Sequence, residues 1–317
     1  MIKHPLVSVF MPVFNQEKLV SDSIESVINQ TFDDWELIIV DDCSTDNTFA
    51  IASKYADAFP GKIKAYRNSV NLGVTRNCNE VLGKCQGKYI AFTAGDDLFL
   101  PKKLELQVEL MEANPACVLS YHDVEVFEHT TGRVIKCWNS GDAGVSPVAG
   151  LSSKVARCLV EQGTGFLAAL SVMAKRDAMP EAGYDVRVPV ASDWLMWIDI
   201  TAAAEIGARV GYISEVLARY RRHENSVTAR SSQHASDPLM TLSIVEYKYP
   251  SLVGSVDKAR GYMRYSSGIT TIILGNHKLG RRLLLSSAKF GLYSPKILYW
   301  LLVSFFPKIR SVRLRRS

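Results

Sequence analysis

Two adjacent carboxylates, Asp96 and Asp97, stand near the end of the string GKYIAFTAGDDLFLPK, residues 87–102. Residues 89–92 read as a short apolar strand, residues 93–95 as a tight bend, and a helix is expected to begin near Pro101. Proline in a first helical turn costs nothing, because that N–H has no intrahelical partner. Acids at the carboxyl end of a buried strand add nothing to packing, and that rim of an open α/β sheet is where ligands bind. Two hard oxygen donors suit Mg²⁺ or Mn²⁺, and either cation suits a diphosphate. A solvated turn with an acid before a helix explains the same pair without any chemistry. The other strand ends must decide.

Residues 7–14 (VSVFMPVF) form a β-rich run that exits into Asn15-Gln16. Residues 17–30 place Val20, Ile24, Val27 and Ile28 at helical spacing, opposite Ser21, Asp22 and Glu25. Residues 35–40 (WELIIV) are almost wholly apolar, as expected of a parallel strand covered on both faces. That run ends in Asp41-Asp42, and the Cys43-Ser44-Thr45-Asp46 that follows caps a helix through Tyr55. Residues 63–66 make a third strand, and residues 71–85 (NLGVTRNCNEVLGKC) turn through Gly73 into a helix. Four strands alternating with helices predict a right-handed, doubly wound parallel sheet. Its first, second and fourth strands then bring Asn15, Asp41/Asp42 and Asp96/Asp97 to one rim.

In the second half the pattern predicts strands at 117–127 and 134–138 around a Thr130-Thr131-Gly132 turn, and a loop over 141–150. A helix follows at 152–161, then an apolar strand at 166–173 after Gly163-Thr164-Gly165. Asp193 opens a helix through Ala204 that carries Trp194 and Trp197, and a strand at 216–220 leads into Arg221-Arg222-His223. A boundary is expected near residue 230, where SSQHASDP breaks the pattern.

The net charge of +5 conceals an asymmetry: from Lys258 onward there are 13 Lys/Arg and no acid, leaving a body of net −8. An acidic body with a basic tail points the tail at an anionic surface. Six scattered cysteines without CxxC spacing argue against structural zinc and for reduced thiols in the cytoplasm. The first ten residues, MIKHPLVSVF, do not read as a signal peptide.

The strings PVFN (12–15), VDDCSTD (40–46), NLGVTRN (71–77), GKYIAFTAGDD (87–97), SDWLMW (192–197) and YRRHENS (220–226) together resemble a family 2 glycosyltransferase over residues 6–230. The resemblance implies the GT-A fold: α/β and Rossmann-like, with a mainly parallel central sheet flanked by helices. The glycosyltransferase domain would span 1–230, with a nucleotide-sugar half to about 115 and an acceptor half from 116. Residues 231–317 would be a helical C-terminal extension.

It further implies an inverting transfer from a nucleotide-sugar, most often a UDP-sugar, to a glycan or lipid-linked hydroxyl. Pro12, Phe14 and Asn15 fall on the nucleotide site, with Phe14 stacking on the base. Asp42, with Asp41 beside it, falls on the residue that reads the base, and Arg76 lies near it. Asp96 falls on the ribose position, Asp97 and His223 on the metal, Arg221 on the diphosphate, and Asp193 on the general base. Two departures stand out: Ala94 replaces the first acid of the usual LDADD string, and Ser192 replaces an acid before the base. Asp193 is equally a good helix cap.

Residues 297–306 (ILYWLLVSFF) are apolar but too few to span a bilayer, which takes about 20 as a helix. With Arg313, Arg315 and Arg316 behind them, they fit an interfacial anchor on anionic lipid at the inner face of the cell membrane. A buried core helix followed by a basic tail is the alternative. Nucleic acid is not an expected partner. A sugar nucleotidyltransferase would want a Gly-rich basic loop after the first strand, which PVFNQEK lacks. A non-catalytic sugar-nucleotide binder remains open on the strength of Ala94.

Overall fold

The computed structural model describes residues 4–138, 146–224, 226, 236–290 and 295–305. Residues 141–145 of the Gly141-Gly150 loop, the boundary near residue 230 and the basic tail from Pro307 to Arg316 lie outside the described residues. Two compact units are present: Met1–Leu159 with Gly163–Thr241, and Val160–Gln162 with Leu242–Ser317.

The first unit opens with β1 (Val7–Val13), α1 (Val20–Ile28), β2 (Trp35–Asp41), α2 (Thr48–Ala58), β3 (Ile63–Arg67), α3 (Val74–Leu82) and β4 (Tyr89–Phe92). These strands pair in parallel in the order β3-β2-β1-β4, as the alternating pattern predicts. Val7, Val9, Met11, Leu37, Ile39 and Ala91 are fully buried, which accounts for the near-continuous apolar runs.

At the amino ends of the strands, Ser8 Oγ donates to the buried Glu36 (2.6 Å) and accepts from the Gly87 N–H (2.8 Å). A Cβ on Gly87 would fall 2.4 Å from the Ser8 nitrogen, so only glycine permits this approach. Burial alone would raise the Glu36 carboxyl, but bonds from Lys64, Ser8 and the Gln86 N–H hold it below the ordinary value.

Beyond β4 the sheet becomes mixed. The chain continues through β5 (Leu98–Phe99), α4 (Lys103–Ala113), β6 (Cys117–Glu128), β7 (Val134–Trp138), β8 (Gly150–Leu151), α5 (Ser152–Gln162), β9 (Met173–Lys175), α6 (Ser192–Ala202) and β10 (Arg209–Arg222). β9 lies antiparallel between β4 and β6, and β10 runs parallel to β6 while pairing antiparallel with β5 and β8. The expected mainly parallel sheet is thus a parallel half joined through β9 to a mixed half.

The strand expected over 166–173 is not formed. Apart from a 3₁₀ turn at Ala169–Ser171 the segment is irregular, and strand pairing begins only at Met173. Phe166, Leu167, Leu170 and Val172 are buried, so the apolar run records burial rather than strand geometry. Pro101 stays in the turn before α4, where its carbonyl accepts from the Thr31 N–H.

In the second unit α8 (Val253–Ile273) and α9 (His277–Ala288) pack where Gly268 meets Gly280; a Cβ on Gly280 would lie 2.9 Å from the Gly268 carbonyl. Asn276 caps α9 by accepting from the Leu279 N–H. Ile272 and Leu284 form a small core with Ile297 and Val303 of α10 (Pro295–Phe305). Helix α7 (Asp237–Lys248) precedes them.

Candidate active site

The carboxyl end of β1 delivers Phe14 and Asn15. Phe14 is 43% exposed, so its ring is accessible. Asn15 takes a left-handed φ of 51° and binds the next loop: its N–H donates to Ser44 Oγ and its Oδ1 accepts from the Thr45 N–H, both at 2.9 Å. Pro12 pairs with Val40 in the sheet beneath.

The two acids after β2 diverge. Asp41 is fully buried; one oxygen accepts from the Ser44 N–H at 2.9 Å, with Arg67 Nε at 3.4 Å, and the other has no partner. It shapes the loop from below. Asp42 accepts from Asn68 Nδ2 and the Leu72 N–H on Oδ1, and from the Gly73 N–H on Oδ2, all within 2.9 Å. A carboxylate offers about four acceptor directions, so one direction on Oδ2 is left over. Arg76 is exposed on α3.

Asp96, Asp97, Arg221 and His223 come together from opposite parts of the chain, because β5 pairs with β10 and carries Asp97 alongside Arg221. Asp97 is 5% exposed and accepts from the Arg221 N–H at 2.9 Å. Burial, reinforced by the charge of Asp96, pushes its carboxyl well above the usual range. His223 Nε2 lies 3.0 Å from Asp96 Oδ2. The Asp96–His223 pair is the more accessible face, whereas Asp97 turns inward.

Among the described residues no three His, Cys, Asp or Glu side chains are placed to hold a metal ion by themselves. What the chain does offer fits a divalent cation that completes its shell with diphosphate oxygens and water: an acid–imidazole pair backed by a second, poorly compensated carboxyl.

Asp193 is not the N-cap of α6, which is Ala191; it lies in the first turn, partly exposed, with Oδ1 accepting from the Trp194 N–H at 2.8 Å. Burial pushes its carboxyl above the ordinary value. Trp197, one turn further on the same face, stacks edge-on against Phe92 at the end of β4 with 4.8 Å between centroids. Ser192 Oγ receives a 2.8 Å bond from Thr75 Oγ1, tying the start of α6 to the start of α3. The same contact brings the charges of Asp193 and Asp42 to bear on Cys78, whose thiol is pushed up to about 12, chiefly by burial. Such a thiol is no nucleophile.

Two members of the cluster carry little signal in the sequence. Asp22 of α1, read as part of a solvated face, pairs with Arg221 Nη2 at 2.9 Å. His129 follows β6 and accepts from Arg221 Nη1 at 3.1 Å. Asp22 has no local cue, but His129 is a polar residue at the carboxyl end of a strand, as Asn15 and Asp42 are. A cleft of about 500 Å³ lined by His4, Asp34, Gln86 and Lys88 lies at the amino ends of the strands, away from these groups.

A parallel half whose strands end in acids, joined to a mixed half that supplies a cationic strand end and a helix-borne acid, has the α/β architecture of the GT-A fold. Residues 8–142, less than half of the chain, match the model of glycosyl transferase family 2. EpsE of Bacillus subtilis (strain 168) is 43% identical over 108 residues, 34% of this chain and 39% of EpsE. The Escherichia coli UDP-Glc:alpha-D-GlcNAc-diphosphoundecaprenol beta-1,3-glucosyltransferase WfgD is 38% identical over 109 residues, 34% of this chain and 42% of WfgD. The matched stretch thus spans less than half of either relative. The crystal structure of S. aureus TarS 1–349 shares the fold at a TM-score of 0.57 and 18% identity, covering 95% of this chain and 91% of that one.

Proposed function

We propose that this chain is an inverting, metal-dependent glycosyltransferase that moves a sugar from a UDP-sugar to a hydroxyl of a glycan or lipid-linked acceptor in cell-surface polysaccharide synthesis. The observation that carries the reading is the meeting of Asp96 and Asp97 with Arg221 and His223 beside the nucleotide half. WfgD, by its name, uses UDP-Glc and a lipid diphosphate acceptor, and TarS 1–349 has been crystallised with UDP-GlcNAc. Both support the donor class.

Phe14 stacks on the base and Asp42 takes the uracil N3–H on its remaining acceptor direction. Arg76 lies beside them. Asp97 and His223, with Asp96 beside them on the ribose side, would hold a divalent cation, which would supply charge neutralisation to the leaving diphosphate. Arg221 adds positive charge on the same side. Asp193 accepts the acceptor's proton in one in-line displacement. Thermal shift against a panel of sugar nucleotides, each with and without Mn²⁺ or Mg²⁺, tests the donor assignment, followed by transfer assays on the hits. UDP-sugars are expected to stabilise the protein only with metal. Equal stabilisation in chelator would overturn the assignment.

The site operates at the inner face of the cell membrane. Among the described residues no helix is long and apolar enough to cross a membrane. Helix α10 is two-faced instead: Ile297 and Val303 are buried, whereas Leu298, Leu302 and Phe305 recur at i, i+4 and i+7 and are 57–66% exposed. This apolar stripe precedes the basic residues 308–316, and each basic side chain near an anionic surface contributes about 1 kcal/mol. The chain is expected to co-sediment with anionic vesicles, less so in high salt. Leu298→Ser with Leu302→Ser should weaken sedimentation without changing UDP affinity; unchanged sedimentation would remove the anchor.

A further inference from the structure

Arg221 is 5% exposed and has five N–H donors in a fixed fork. Nε donates to the Asp96 carbonyl at 2.8 Å, Nη2 to Asp22 at 2.9 Å, and Nη1 to His129 Nδ1 at 3.1 Å. The three acceptors come from three places: the loop after β4, helix α1, and the residue after β6. Phe127 lies under the guanidinium, 5.3 Å from its carbon.

His129 is placed by sheet register. Its N–H donates to the Arg222 carbonyl at 3.0 Å, extending the β6–β10 pairing by one residue. A guanidinium has no acceptor, so Nδ1 must present its lone pair and the ring proton must sit on Nε2. Of the five guanidinium donors, three are taken; one hydrogen remains on each terminal nitrogen. The bond to His129 selects which hydrogen of Nη1 stays available and pins that end of the fork.

We propose that His129 is a positioning residue for sugar transfer: its Nδ1 orients Arg221 so that the two remaining donors face the donor diphosphate. This rests on the glycosyltransferase reading above. Nothing in the family-type strings covers residue 129, and the residue acts through Arg221 rather than on substrate. The guanidinium meets growing negative charge as the anomeric bond breaks, so its orientation bears on turnover more than on affinity.

The test is a substitution series read in kcat and KM separately. His129→Ala should lower kcat about tenfold, the order expected for losing a hydrogen bond to a charged group, with KM for the UDP-sugar little changed. His129→Asn, whose amide oxygen can occupy the Nδ1 position, should recover most of the loss. His129→Gln, whose amide reaches the Nε2 position, should not. Long-range ¹H–¹⁵N NMR of the wild-type imidazole at about pH 8, above the ordinary histidine value near 6.5, reads the tautomer without substrate. A proton on Nδ1, an Ala variant with wild-type kcat, or equal losses in Ala and Asn each overturns the proposal. If the wild-type chain transfers no sugar, the functional reading falls and takes this proposal with it, while the tautomer still reports whether the Arg221–His129 contact exists.

Discussion

On the proposed reading, Asp193→Asn is expected to lower turnover by about 10²–10⁴-fold while leaving the fold and the UDP affinity in place. That is the usual contribution of a positioned general base, and amide and carboxylate have nearly the same shape. The amide oxygen can still accept from the Trp194 N–H, so the first turn of α6 keeps that bond. What is lost is the second oxygen's ability to take a proton. Burial holds the carboxyl above its ordinary value. A base works only when ionised, so the acid limb of the wild-type rate profile should lie above the usual carboxylate range, with activity rising as pH rises through it. The same shift has a stability sign. The folded state keeps this proton at pH values where the unfolded chain has released it, so stability falls as pH climbs from the unfolded value to the folded one. The Asn variant should lack that decline. Single-turnover rates and denaturant titrations across pH measure both. Activity within about threefold of wild type would reduce Asp193 to a structural acid in the first turn of α6.

Asp97→Asn should abolish metal-dependent UDP binding and at the same time make the free protein more stable at neutral pH. Both effects come from one imbalance. Asp97 is buried next to a second acid, with only Arg221 to offset it, and its carboxyl is pushed well above the ordinary range. Without a cation, ionising it opposes folding. The wild type therefore loses stability as pH rises above the unfolded value of about 3.9 and continues to lose it up to the raised folded value. An amide accepts the Arg221 N–H equally well and carries no charge, so the variant's advantage should open over that window and vanish in acid. Mn²⁺ with UDP should stabilise the wild type alone. Asp96→Ala should likewise lose the metal dependence, since Asp96 is the acid that meets His223. Calorimetry with UDP and Mn²⁺, paired with melting curves from pH 4 to 8, decides the matter. Undiminished, metal-dependent affinity in Asp97→Asn would falsify the assignment.

The parallel half was legible because its signals are local. Apolar runs such as WELIIV and YIAF mark strands, helical spacing marks α1 and α3, and the acids fall where strands stop. Element edges moved by only a few residues. The mixed half was less legible because its geometry depends on distant partners. The two-residue strand β5 exists only through its bonds to Ala218 and Arg219, and nothing within Leu98-Phe99 announces that pairing. The irregular run before β9 is as apolar as a strand, since burial, not periodicity, selected its residues. In the site, residue types were readable but their use was not. Asp41 and Asp42 are identical neighbours and both are buried, yet Asp41 ends β2 beneath the loop whereas Asp42, just past the strand, is held by Asn68 and the Leu72 and Gly73 N–H groups. Asp22 could not be found at all, because its partner lies 199 residues away.

That separation orders events during synthesis. β10 is the strand that pairs with β5, β6 and β8, and it is also the strand that brings Arg221. Until the ribosome has emitted it, β6 has an open edge, a template for pairing with other chains. Over the same interval Asp22, Asp96 and Asp97 have no guanidinium to meet. The parallel half is complete in sequence early, but the cluster around Arg221 must wait for contacts of longer sequence span, which form slowly. A nascent chain halted before residue 209 would thus have an unfinished sheet with the β6 edge open to pairing with other chains until the last strand docks.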